Sequence, residues 1–210
     1  MTEGDAMTER RIDAVLCDLD GVLRIWADLA EVDTACGLPP GTVAGAAFRE
    51  ERLLPAVTGQ VTDEQWRAAV ADDLVAVCGS VERARAAVAA WGRQPSRVDA
   101  EVLALLTAAR RRVPVLLVSN GTTRLEADLA ALGLDTAVDA VVNTARLGAA
   151  KPDARVYLAA AARAEVPPGR CLFVDDSAGN AAAAEALGML GHHHRGAAEL
   201  RLVLAGHGLL

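Results

Sequence analysis

Four short, mainly apolar and β-branched runs constrain this chain more than anything else in it: "AVLC" (14–17), "VPVLLV" (113–118), "VDAVV" (138–142) and "RCLFV" (170–174). Continuous apolarity over four to six residues suits strands covered on both faces, as in a parallel sheet. Helical patterns fill the intervals. "EVLALLTAARRR" (101–112) carries leucines on one face and a basic last turn, which complements the negative end of a helix dipole. Thr123 and Glu126 have the spacing of a capping box opening "RLEADLAALG", with Gly133 as its stop. "PDARVYLAAAARAEV" starts with Pro152 in a first turn and ends before Pro167-Pro168, and "AGNAAAAEALG" reaches Gly188. The alternation predicts an α/β fold with a Rossmann-like parallel sheet and right-handed crossovers.

The first run is separated from the second by about ninety residues without a convincing strand. Segments such as "DEQWRAAVADDLVAVCG" (63–79) and "VERARAAVAAWG" (81–92) read as helices, and "GLPPG" (37–41) as a breaker. A structureless loop of that length is disfavoured. The expected organisation is an α/β core made of residues 1–24 and 99–210, with a helical insertion, residues 25–98, above the end of the first strand.

Hydrophobic residues make up 52% of the chain and aromatics only 3%, so the interior must rest on Ala, Val and Leu. The formal charge of −7 argues against a nucleic-acid partner, which needs a basic face. The cysteines, Cys17, Cys36, Cys78 and Cys171, are scattered and form no C-x-x-C pair, as expected of reduced thiols in a cytoplasmic protein. "MTEGDAMTERR" lacks the apolar stretch of a signal peptide. No run approaches the roughly 18–20 apolar residues of a membrane span. Oligomeric state is not legible.

The chemistry lies where the strands end. In open α/β sheets ligands gather beyond the carboxyl ends of the strands. Those ends carry, in order, Asp18-x-Asp20, Ser119-Asn120-Gly121, Lys151-Pro152 and Asp175-Asp176. Carboxylates crowded together need a cation, and an all-oxygen set selects a hard one such as Mg²⁺. A lysine and a hydroxyl beside them suit a phosphoryl group.

These residues resemble the haloacid dehalogenase-like (HAD) hydrolase superfamily, in the subfamily with a helical C1 cap after the first motif. "DLDGV" is similar to its D-x-D-x-[TV] motif, Ser119 to the second, Lys151 in "KPD" to the third and "VDDSAGN" to the acidic fourth. The resemblance implies a HAD-like core with an inserted cap and an Mg²⁺-dependent phosphatase acting on a small phosphorylated metabolite, such as a sugar phosphate. It implies Asp18 as nucleophile and Asp20 as general acid and base. Mg²⁺ would sit on Asp18, the Asp20 carbonyl and Asp176, with Asp175 direct or through water. Ser119, Asn120 and Lys151 would hold phosphoryl oxygens, Lys151 also restraining Asp18, and Asn180 would support them. Asp20 and the acidic fourth motif favour phosphoryl chemistry over dehalogenation. A phosphosugar mutase resembling β-phosphoglucomutase uses the same core, and a non-catalytic phosphometabolite-binding module is the contrasting class.

Taken singly, each signal has a plainer meaning: a turn at Asp20-Gly21, a capped loop at Ser119, an exposed Lys151, helix caps at Asp175 and Asp176. "GHHHRG" (191–196) reads as a solvated loop. Trp26, Trp66 and Trp91 read as packing residues of the insertion or its interface, with Arg24 and Trp26 also placed for the pocket mouth. Arg49, Glu50, Glu51 and Arg52 read as solvated charges of the insertion.

Overall fold

A computed structural model describes residues 11–27 and 30–210, so the polar start of the chain lies largely outside the described residues. Five strands form a parallel sheet: β1 (Ala14–Cys17), β4 (Val115–Ser119), β5 (Ala140–Asn143), β6 (Cys171–Asp175) and β7 (Leu190–His193), in the order β5-β4-β1-β6-β7. β1 is central, pairing Cys17 with Leu117 on one side and Val174 on the other. Its side chains alternate between two cores, because successive residues of a strand face opposite ways. Val15 and Cys17 join Leu106 and Leu129 from helices α6 (Ala100–Arg110) and α7 (Leu125–Ala131), and Leu204 from α11 (Ala197–Gly206). Ala14 and Leu16 join Val156 and Tyr157 of α9 (Ala154–Arg163) and Ala184 of α10 (Ala178–Ala186). The sheet is therefore covered on both faces, as its unbroken apolar runs require. A short helix, α8 (Thr144–Leu147), follows β5, and a 3₁₀ turn (Pro168–Arg170) precedes β6.

Two features of the core differ from the sequence expectation. "GHHHRG" opens with the last three residues of strand β7 rather than a loop, and His194 just beyond the strand is buried. Pairing with β6, in which His192 meets Val174 and His193 meets Asp175, overrides the polar composition. The Thr123–Glu126 capping box does not form: α7 starts after Arg124 without a side-chain cap. Instead Thr123 Oγ1 accepts from Asp63 N at 2.9 Å, and Glu126 accepts from Asn143 and Arg146. Tertiary partners outbid the local ones.

Between β1 and α6 the chain leaves through β2 (Arg24–Trp26) and returns through β3 (Ser96–Val98), paired antiparallel, with Asp99 N donating to Leu23 O at 2.9 Å. Sequence reading found neither strand. Five helices lie between them: α1 (Ala30–Ala35), α2 (Thr42–Ala47), α3 (Glu50–Val57), α4 (Asp63–Cys78) and α5 (Val81–Trp91). α4 opens with the capping box Thr62–Gln65 and stops at left-handed Gly79, and Ser80 caps α5; such caps each contribute about 1 kcal/mol. Val43, Trp66, Leu74, Val88 and Trp91 form part of a third apolar cluster confined to this segment. Arg49 and Arg52 are not free charges: both pair with Asp73. Among the described residues no helix is long and apolar enough to cross a membrane, and all four cysteines are free.

Candidate active site

The carboxyl ends of β1, β4 and β6 meet at one point. Asp18 follows β1, and its backbone N–H donates to Val174 O at 2.8 Å, which registers it against β6. Asp175 ends β6 with no exposure, and Asp176 lies beyond it, exposed. One carboxylate oxygen from each of Asp18, Asp175 and Asp176 lies within 4.8 Å of the others. Lys151 sits among them, almost fully buried. Its ammonium reaches Asp18 Oδ1 at 2.8 Å, Asp175 Oδ2 at 2.8 Å and Val118 O at 3.0 Å, so all three of its protons are committed.

The division of labour among the acids follows from their partners. Asp175 Oδ1 accepts from Ser177 N (2.9 Å) and Asn180 Nδ2 (3.0 Å), while Oδ2 takes Lys151; this carboxylate is spent on structure. On Asp18 both donors, Leu19 N (2.7 Å) and Lys151, fall on Oδ1. Asn120 clasps the third strand-end loop: its Oδ1 accepts from Lys151 N at 2.8 Å and its Nδ2 donates to Lys151 O at 3.1 Å. Ser119 ends β4, buried, two residues past the Leu117 that pairs with Cys17.

Three carboxylates against one ammonium leave the cluster short of positive charge. Burial pushes the Asp18 carboxyl up to about 7, with Lys151 opposing and Asp175 reinforcing. Asp176 is also raised, by burial first and then by Asp175. Burial works to lower Lys151, yet Asp18 and Asp175 carry it above the ordinary lysine value. An oxygen-only donor set with this imbalance fits a hard divalent cation.

A sequence model of the haloacid dehalogenase-like hydrolases matches residues 12–188, the span that holds all four strand-end groups. The chain belongs to this family. The hydrolase is similar in fold to a HAD family enzyme from Bacteroides thetaiotaomicron solved with magnesium and inorganic phosphate (21% identity, 85% of this chain and 91% of that chain, TM-score 0.65). It is likewise similar to a predicted HAD-like hydrolase from Porphyromonas gingivalis (22% identity, 91% and 98%, TM-score 0.67). An L-2-haloacid dehalogenase from Xanthobacter autotrophicus with chloropropionic acid covalently bound shares the fold too (21% identity, 85% and 75%, TM-score 0.59). No curated protein matches the chain by sequence.

In this HAD hydrolase Asp20 stands apart from the acidic trio. Arg24 Nε and Nη2 donate to its two oxygens at 2.7 and 2.8 Å, and Trp26 Nε1 donates at 2.6 Å. Arg24 is buried and also reaches Asp128 at 3.6 Å. A cleft of about 500 Å³ opens from Asp18, Asp20 and Asp176 toward the helical segment. Phe48, Trp66 and Arg67 line it from that segment, and Thr122, Arg124 and Asp128 from the core. Sequence reading singled out none of Phe48, Asp63, Arg67, Arg124 and Asp128 as site residues. Asp63–Arg67 and Arg124–Asp128 are visible as i,i+4 pairs, but such pairs are ordinary on solvated helices.

Proposed function

We propose that this HAD hydrolase is a Mg²⁺-dependent phosphatase of small phosphorylated metabolites, acting through an aspartyl-phosphate on Asp18. The observation that carries the reading is the buried Lys151 ammonium shared at 2.8 Å by Asp18 and Asp175, with Asp176 beside them. Lys151 fixes Asp18 Oδ1, leaving Oδ2 to attack phosphorus. The new O–P bond forms as the bond to the leaving oxygen breaks, the electron pair going to that oxygen. Asp20, released from Arg24 and Trp26 and carrying a proton taken up from solvent, gives that proton to the leaving oxygen. It then takes one from a water whose attack on phosphorus frees inorganic phosphate and restores the Asp18 carboxylate. The Ser119 hydroxyl and the Asn120 backbone N–H hold phosphoryl oxygens, while Lys151 and the Asn120 side chain serve by positioning. Asp18, Asp176 and the Asp20 carbonyl, with Asp175 behind them, would hold Mg²⁺, which would supply charge neutralisation. The magnesium and phosphate of the Bacteroides structure support this choice. Residues 25–98 would serve as the cap that covers the cleft, and four free cysteines fit a reducing, cytoplasmic setting.

The test is phosphate release from 4-nitrophenyl phosphate with and without Mg²⁺. Activity should require the metal, and Asp18→Asn should lower it by more than about 10³-fold. Equal rates for the two proteins would remove Asp18 from the nucleophile role. Halide release from a 2-haloacid would instead align the chain with the dehalogenases, and an isomeric phosphosugar product with a mutase.

A further inference from the structure

The chain has two Phe, three Trp and one Tyr. Tyr157 and Phe173 meet edge-on in the core, 4.9 Å between centroids. The other four, Trp26, Phe48, Trp66 and Trp91, all line the cleft above Asp18. Phe48 and Trp66 each meet Trp91 edge-on, at 5.8 and 5.7 Å. Trp66 and Trp91 also pack the helical segment, but Phe48 is half exposed and contributes little to that core.

The charged groups around these rings are paired, while Trp91 Nε1 is buried without a hydrogen-bond partner. Arg67 Nε pairs with Asp63 at 2.6 Å, Arg124 Nε with Asp128 at 2.8 Å, and Arg24 Nε with Asp20 at 2.7 Å. Thr122 Oγ1 donates to Asp63 at 2.9 Å, Trp66 Nε1 donates to Ala47 O at 3.2 Å, and Trp26 Nε1 is on Asp20. A second phosphate or carboxylate on the substrate would compete with Asp63 and Asp128 for guanidiniums they already neutralise, and a sugar would desolvate several hydroxyls against rings that offer them no partner. A flat ring requires neither. Asp20 points the same way independently: it must break three hydrogen bonds before it can serve a leaving oxygen. A phenol, with a pKa of about 10 against about 15.7 for water, leaves with less help from an acid.

We propose that the cleft selects phosphomonoesters whose leaving group is a flat, uncharged aromatic alcohol, in preference to sugar phosphates or substrates with a second anionic group. This rests on the phosphatase reading for the chemistry, though not for the binding. Binding is therefore measured without turnover, by calorimetry of phenylphosphonate and 3-hydroxypropylphosphonate on the Mg²⁺-loaded wild-type protein. The aryl compound should bind about tenfold tighter, and Phe48→Ala, at a half-exposed position, should erase most of that margin. Equal binding, or a margin untouched by Phe48→Ala and Trp91→Phe alike, overturns the proposal. In parallel, kcat/KM for phenyl phosphate should exceed that for glucose 6-phosphate by about 100-fold. Aryl-selective binding with no phosphate release from either ester would leave the pocket assignment standing and sink the phosphatase reading. Phosphate release with sugar phosphates preferred would do the reverse.

Discussion

Gly21 adopts φ +79°, and a Cβ placed there would lie 2.0 Å from Asp176 Oδ2. Both facts demand glycine, the first for backbone conformation and the second for close approach. Gly21→Ala should leave the far-UV circular dichroism unchanged while lowering Mg²⁺ affinity by about 10–100-fold, because a displaced carboxylate is a misoriented ligand; unchanged affinity by calorimetry would detach Asp176 from the metal. Asp18 gives a pH prediction. Its folded carboxyl is raised to about 7 from an ordinary 3.8, chiefly by burial. Between those values the native state keeps a proton that the unfolded chain has released, so metal-free stability should fall as pH rises through this window. Cation binding expels that proton, so Mg²⁺ should raise Tm more at pH 8 than at pH 6; an equal increment at both would contradict it. Asp18, Asp20, Asp175 and Asp176 were all legible as strand-end acids. The difference between Asp175, with both oxygens engaged, and Asp176 was not, since it depends on Ser177 N and Asn180 reaching back from the α10 turn.

At the scale of elements, strands with an apolar run announced themselves, edge strand β5 included, and polar or very short ones did not. β1 is apolar throughout, and β4 and β6 are so up to their last residues, Ser119 and Asp175, because both faces are covered. β7 is an edge strand whose "LGHH" carries no such signal; its strand character comes from pairing with β6. Gly191 is what lets α10 sit against it, since a Cβ there would fall 2.5 Å from Ala181 O and 2.7 Å from Glu185 Cγ. Gly191→Ala should therefore cost about 1–3 kcal/mol in chemical denaturation, and a neutral substitution would show that α10 is free to shift. β2 and β3, three residues each, are too short for a periodic signal. The α7 start was misread for the opposite reason: the capping pattern was present, but Thr123 and Glu126 were drawn to partners on α4 and on the β5–α8 turn.

For the molecule as a whole, the helical segment between β2 and β3 touches the core at few places, and they are polar. Asp63, at the start of α4, donates its N–H to Thr123 Oγ1 and accepts from Thr122 Oγ1, both at 2.9 Å. Gly59 comes so near Ala145 O that a Cβ would lie 2.0 Å from it. If this segment closes over the cleft as proposed, Thr122→Val with Thr123→Val should favour the open arrangement. Amide exchange at 62–66 should rise, and KM several-fold with it; protection equal to wild type would mean that these bonds do not hold the closed form. The existence of a helical insertion was legible from the long interval after β1, but its seam was not, because hydroxyl-to-backbone contacts leave no trace in hydrophobic pattern. The seam also bears on Arg24, which opens β2 and grips Asp20 with one edge of its guanidinium while reaching Asp128 with another. If residues 25–98 move as a cap on the β2–β3 ribbon, as proposed, Arg24 ties that movement to Asp20, so a swing of β2 would carry the carboxylate with it. The ribbon would then be a lever on the aspartate, and a change in it would be felt at Asp20 without any new contact in the cleft.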